Sequence, residues 1–143
     1  EAEREEFLDR FSEESDRTLV AFGIMGGIFG EGIDLKNARL IGAIVVGTGL
    51  PQISNERTIL KDYYDAENGC GFDYAFRYPG INKVLQAAGR VIRTTEDTGV
   101  ILLLDERFWQ REYDLLYPRE WSDRKPCNIA NVGKLVADFW EQI

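Results

Sequence analysis

Gln86-Ala87-Ala88-Gly89-Arg90-Val91-Ile92-Arg93, then Thr94-Thr95-Glu96-Asp97-Thr98-Gly99, then Val100-Ile101-Leu102-Leu103-Leu104-Asp105, is the stretch on which the fold turns. Read as a helix at about 100° per residue, Gln86, Arg90 and Arg93 fall within roughly 60° of one another. Val84, Leu85, Ala88, Val91 and Ile92 fill the opposite side. One face can be buried while the other presents an amide and two cations. Two guanidiniums held a turn apart repel each other and are best reconciled by a shared anion, and phosphate matches their fork geometry. An ordinary amphipathic helix with solvated arginines carries comparable weight on geometry alone. The residues after Arg93 tip the balance. A polar turn leads into five aliphatics ending in an acid, the pattern of a parallel strand buried on both faces.

Working outward, Thr18–Met25 and Ile41–Val46 read as two further strands. Ser54 reads as the cap of a helix running to Ala66. Phe72, Tyr74, Phe76 and Tyr78 alternate in the strand period, and Pro79-Gly80 ends them. Helices are expected over residues 1–15, 106–116 and 129–143, with Trp109, Trp121, Phe139 and Trp140 in the core. Strands alternating with helices imply a parallel α/β sheet covered on both faces. Such sheets carry ligands at the carboxyl ends of their strands. Here those exits are Gly26-Gly27, Gly47-Thr48-Gly49 and Asp105-Glu106-Arg107. Gly47 and Gly49 read best as tight turns, and Asp105 with Arg107 as a structural ion pair.

The chain has 143 residues, 44% of them hydrophobic, enough for one ordinary core. It has no apolar run near the roughly 20 residues that span a bilayer, so no membrane partner is expected. Its start, Glu1 to Glu6, has no signal-peptide layout and no initiator Met, which suits a piece of a longer protein. Cys70 and Cys127 stand in no ligand spacing, which fits idle thiols in a reducing, cytoplasmic setting. The absence of histidine removes His-dependent triads, a His general base and most zinc sites, and no metal site is expected. Net charge is −8, opposite in sign to most free-standing nucleic-acid binders. Any contact with DNA would come from a local patch or beside a larger basic groove.

The second strong feature is Gly26-Gly27-Ile28-Phe29-Gly30-Glu31-Gly32-Ile33-Asp34-Leu35. Four glycines in seven residues allow close backbone approach to a ligand. Glu31 and Asp34 suit hydroxyls or salt bridges to arginine, or merely brace the loop. The chain contains neither a Walker A loop nor the ordered dinucleotide fingerprint. It can touch phosphates, but another element must hold most of the nucleotide.

This loop resembles motif V, and Gln86–Arg93 with Asp97, Gly99, Asp105 and Arg107 resembles motif VI, of superfamily 2 helicases of the DinG/XPD type. The resemblance covers about residues 18–110. It implies a three-layer RecA-like parallel sheet flanked by helices, the second motor lobe, short of its first strand. Residues 1–143 would form that one domain. Arg93 would be the arginine finger reaching the γ-phosphate of ATP, with Arg90 its companion. Gln86, Gly32, Asp34 and Glu31 would line the nucleotide. ATP with Mg2+, and any iron–sulfur cluster, would be held mostly or wholly by the absent first lobe. The partners implied are that N-terminal lobe, ATP and single-stranded DNA, in a DNA-repair enzyme that hydrolyses ATP, with the isolated domain inactive. Tyr74, Phe76 and Arg77 could stack on and contact the DNA strand, although a packed aromatic arm explains the same residues. The competing reading is a non-catalytic RecA-like module that recruits a protein partner.

Overall fold

The computed structural model describes residues 2–11, 17–27, 35 and 39–143. The elements are α1 (Ala2–Asp9), β1 (Gly42–Val46), α2 (Asn55–Asn68), α3 (Tyr78–Ala88), β2 (Val100–Leu104), α4 (Arg111–Asp114) and α5 (Val132–Trp140). β1 and β2 pair in parallel, Gly42 opposite Val100 through Val46 opposite Leu104. Arg39, just before β1, donates to the carbonyls of Phe11 (2.6 Å) and Leu8 (2.9 Å), supplying partners for carbonyls at the end of α1.

α3 covers one face of the pair. Val45, Ile81, Val84, Phe108 and Tyr113 form the buried core, with Leu85 and Leu103 packed against it. The other face is open among the described residues: Ile44 is 61% exposed and Val46 72%. The expectation of strands buried on both faces is therefore corrected. An aliphatic run says that a strand could be covered twice, not that both covers are present. Thr18–Met25 is corrected as well. Residues 18–24 adopt no regular structure and residues 25–27 turn. Leu19, Val20, Phe22 and Ile24 are exposed, and the segment has no pairing neighbour among the described residues, so it forms no ladder there.

Ser54 caps α2 as expected, its Oγ accepting from the Arg57 amide at 3.3 Å. The helix closes two residues beyond Ala66, where Gly69 takes the left-handed conformation at φ 72°. The alternating aromatics are not a strand: Asp73–Arg77 is a π-helical turn running into α3. The strand period contains its own ambiguity, because residues four apart are also neighbours on a helix. Phe72 stacks on Phe76 at 5.5 Å, and Tyr74 meets Tyr78 edge-on at 5.3 Å. Pro79 accounts for the widened turn. It has no N–H to give the Ala75 carbonyl, and Arg57 of α2 supplies the missing donor at 2.7 Å.

The helix expected over 106–116 is two short pieces, a 3-10 turn at Glu106–Trp109 and α4, divided at the extended Gln110. The closing helix is shorter than expected and has no buried residue. Trp109 is 57% exposed and Trp140 is also exposed, so neither is core.

Candidate functional site

α3 ends at Ala88, short of both arginines, which corrects the helical spacing assumed for Gln86, Arg90 and Arg93. The Arg90 and Val91 amides bond three residues back, to Ala87 (3.2 Å) and Ala88 (3.0 Å), a tightened final turn. Gln86 is exposed on the helix proper, Arg90 is half-buried on that turn, and Arg93 is exposed in the loop beyond. Gly89 in the last turn disfavours continuation.

The loop is held from both sides. Val91 is 3% exposed and fills a notch over Gly99, where an added Cβ would lie 2.3 Å from Val91 Cγ1 and 2.9 Å from the Ile41 carbonyl. The Asp97 carboxylate accepts from the Arg93 amide at 2.9 Å and the Thr94 amide at 2.8 Å. Gly99 and Ile41 immediately precede β2 and β1, so the arginine loop sits at the amino ends of the strands, opposite the carboxyl rim where such sheets carry ligands. The reason is direction. α3 runs back against the strands, and its far end arrives where they begin.

The carboxyl rim gathers other pieces. The Gly47 amide bonds the Leu104 carbonyl at 3.2 Å, which joins the two strand exits. Gly47 (φ 81°) and Gly49 (φ 69°) are the tight turns expected. Gly49 and Gly80 meet backbone to backbone: a Cβ on Gly80 would stand 2.7 Å from the Thr48 carbonyl oxygen. The glycine-rich segment enters at Gly26, where a Cβ would lie 3.5 Å from Lys83 Cε on α3. Glu31, Gly32 and Asp34 lie outside the described residues. Of the predicted nucleotide-facing set, the structure thus describes Gln86, Arg90 and Arg93, which share one end of α3 and the loop after it.

Asp105 and Arg107 form the structural pair expected. Arg107 Nε donates to Oδ1 at 2.8 Å and its Nη2 to Oδ2 at 2.7 Å, and the Arg107 amide also donates to Oδ1 at 2.9 Å. The Arg107 side chain holds the Asp105 carboxyl below its usual range, with the backbone bond adding to the effect. The aromatic candidates make packing contacts within the fold. Phe76 is 8% exposed. Arg77 is ion-paired with Asp73 and lies over the rings of Phe72 (5.4 Å) and Tyr113 (5.6 Å), its side chain 17% exposed. Tyr74 is stacked on Tyr64 at 4.0 Å. Phe76 and Arg77 are packed within the fold, while Tyr74, stacked on Tyr64, is 39% exposed.

Arg57 lies outside the motifs, and Asp97, though part of the motif VI resemblance, is not among the candidate site residues read from the sequence. A proline following an apolar helical run signals the first, because the carbonyl four residues before it needs another donor. An Asp four residues beyond Arg93, inside a Thr-rich turn, signals the second.

Two parallel strands joined through helices, the last of which runs into the loop carrying Arg90 and Arg93, make this an α/β domain. The family model for the helicase C-terminal domain matches residues 1–124, and the chain belongs to that family. Its relatives place it among helicases of the DinG/XPD type. It is 30% identical to the ATP-dependent DNA helicase XPD of Sulfolobus acidocaldarius over 94% of this chain and 24% of that protein. It is 31% identical to the regulator of telomere elongation helicase 1 homolog of Caenorhabditis briggsae, over 99% of this chain and 15% of that protein. The Anopheles gambiae homolog is 29% identical, over 94% of this chain and 14% of its own length. The chain therefore spans a quarter or less of these three relatives.

Proposed function

We propose that this chain is the second motor lobe of an ATP-dependent DNA helicase, a RecA-like layer that completes a nucleotide site held by another lobe. The supporting observation is the loop bearing Arg90 and Arg93, braced at Val91 and Asp97, in a chain whose relatives are named as helicases. In hydrolysis, water attacks the γ-phosphorus, the bond to the ADP oxygen breaks, and inorganic phosphate leaves. Negative charge spreads over the transferring group. A guanidinium fixed beside it is worth roughly 10³–10⁵ in rate. Arg93 is assigned that role, with Arg90 as its companion and Gln86 orienting nucleotide or water. Glu31, Gly32 and Asp34 complete the nucleotide-facing set. Arg90, Arg93 and Gln86 are suited to phosphate, Asp34 to a ribose hydroxyl or, like Glu31, to bracing an arginine, and Mg2+ is left to the other lobe.

The carboxyl-end rule applies to ligands bound by a sheet's own loops. A residue that completes a neighbouring lobe's site is free of it, so the position at the amino ends is compatible with this role. Closure of the two lobes on ATP would couple each turnover to movement along single-stranded DNA.

The test is Arg93→Ala in the full-length protein. ATP hydrolysis should fall by at least about 10³-fold, while nucleotide and strand binding at low salt persist. Retained hydrolysis removes Arg93 from the role. The isolated chain should hydrolyse no ATP, and turnover by it would contradict the shared site.

A further inference from the structure

We infer that Gly99 is a positioning residue for the arginine loop: the space left by its missing side chain seats Val91 and so sets where Arg90 and Arg93 stand at the amino ends of the strands. The inference rests on the reading of Arg93 given above.

α3 ends at Ala88, so helical geometry does not carry through to Arg93. A packing contact ties the loop to the sheet. Val91 is 3% exposed, and its amide bonds the Ala88 carbonyl at 3.0 Å. A Cβ on Gly99 would lie 2.3 Å from Val91 Cγ1 and 2.9 Å from the Ile41 carbonyl oxygen. Gly99 is not among the described glycines with a left-handed φ, so its backbone does not require glycine. The space does.

The two walls of that space differ. The Ile41 carbonyl accepts from the Val100 amide at 3.0 Å, at the head of the β1–β2 ladder, and the whole ladder would have to part for it to retreat. Val91 belongs to a single tightened turn. An added methyl at Gly99 therefore displaces Val91, because close-packed interiors pass such strain to whatever yields first. Val91 adjoins Arg90 and stands two residues before Arg93, so both guanidiniums move with it. A misplacement near 1 Å costs up to about 100-fold in rate. The other lobe holds most of the nucleotide, so the loss falls on kcat and not on KM.

The experiment uses the full-length protein. Steady-state ATP hydrolysis is measured for Gly99→Ala, Val91→Ala and the double variant, beside hydrogen exchange of peptides covering 89–99. Gly99→Ala should lose about 10- to 100-fold in kcat, with KM for ATP little changed. The double variant should regain at least about 5-fold, because alanine at 91 has no Cγ1 and makes room for the new methyl. Placed on Arg93→Ala, Gly99→Ala should cost less than about 3-fold more, since the group it positions is already gone. A general structural lesion would cost its full factor again. If Gly99→Ala does not fold, Val91→Ala decides: its exchange over 89–93 should accelerate and its kcat fall about 10-fold, and no change in either overturns the inference. So does a wild-type kcat in Gly99→Ala beside an inactive Arg93→Ala, a double variant no better than Gly99→Ala, or a full further loss on Arg93→Ala. If Arg93→Ala itself hydrolyses ATP normally, the finger reading falls and takes the inference with it.

Discussion

Replacing Gly80 with alanine sets two opposed effects against each other, and the structure says which prevails. Gly80 lies in the first turn of α3, where alanine's helix propensity favours the substitution by up to about 1 kcal/mol. Its new Cβ would stand 2.7 Å from the Thr48 carbonyl oxygen and 3.2 Å from both the Gly49 carbonyl carbon and Leu50 Cδ2. Ordinary carbon–oxygen contacts begin near ~3.3 Å. The blocking atoms are mostly main chain, and Gly49 at φ 69° leaves them little room to yield. Overpacking of this kind costs about 1–3 kcal/mol, so the net should be a destabilisation of about 1 kcal/mol. Gly133, in the first turn of α5, is the control, since a Cβ there meets nothing within 4 Å. In urea unfolding followed by far-ultraviolet circular dichroism, an m-value near 1–3 kcal/mol/M turns that loss into a midpoint lowered by about 0.5 M. Gly133→Ala should leave the midpoint unchanged or raise it. A Gly80→Ala midpoint at or above that of Gly133→Ala would refute the close approach of the β1 exit and α3.

Two further substitutions test other contacts. Asp105 has a lowered carboxyl pKa, so its contribution is complete above the ordinary value of 3.8 and is lost as pH falls through the folded value. Asp105→Asn should therefore unfold at lower urea at pH 6 and show a shallower further loss below pH 3.8; parallel acid limbs would remove the pair from the stability account. The Tyr117 hydroxyl donates to the Phe108 carbonyl at 2.8 Å, and burial pushes its pKa from 10.0 up to about 12. Stability should hold below pH 10 and fall as pH rises toward 12. Tyr117→Phe should cost about 1 kcal/mol at neutral pH and lack that alkaline decline, both read from urea midpoints.

The legible parts of the fold were those set by local chemistry. The Ser54 cap, the glycine turns at 47 and 49, and the strands at 42–46 and 100–104 each arise from residue type at a fixed offset. Three features depended on something farther away. Thr18–Met25 has strand composition but no neighbour to pair with among the described residues. Phe72–Tyr78 has strand period but helical contacts, and Pro79 with Arg57 tips the choice. Gln86, Arg90 and Arg93 were readable as a functional group through the motif, but their spacing on one helix face was not real. The helix stops at Ala88, and the geometry of Arg93 comes from Asp97 and Gly99, to which a helical spacing gives no part. Glu31, Gly32 and Asp34 fall outside the described residues, so their half of the site rests on the motif alone.

The most direct measurement is a structure of the full-length protein with ADP and aluminium fluoride, which mimics the transferring phosphoryl group. The account predicts the Arg93 guanidinium within about 3 Å of a fluoride, reaching from the loop at the amino ends of β1 and β2. An occupied nucleotide site with that loop facing solvent, or packed on a surface remote from the fluoride, would contradict it.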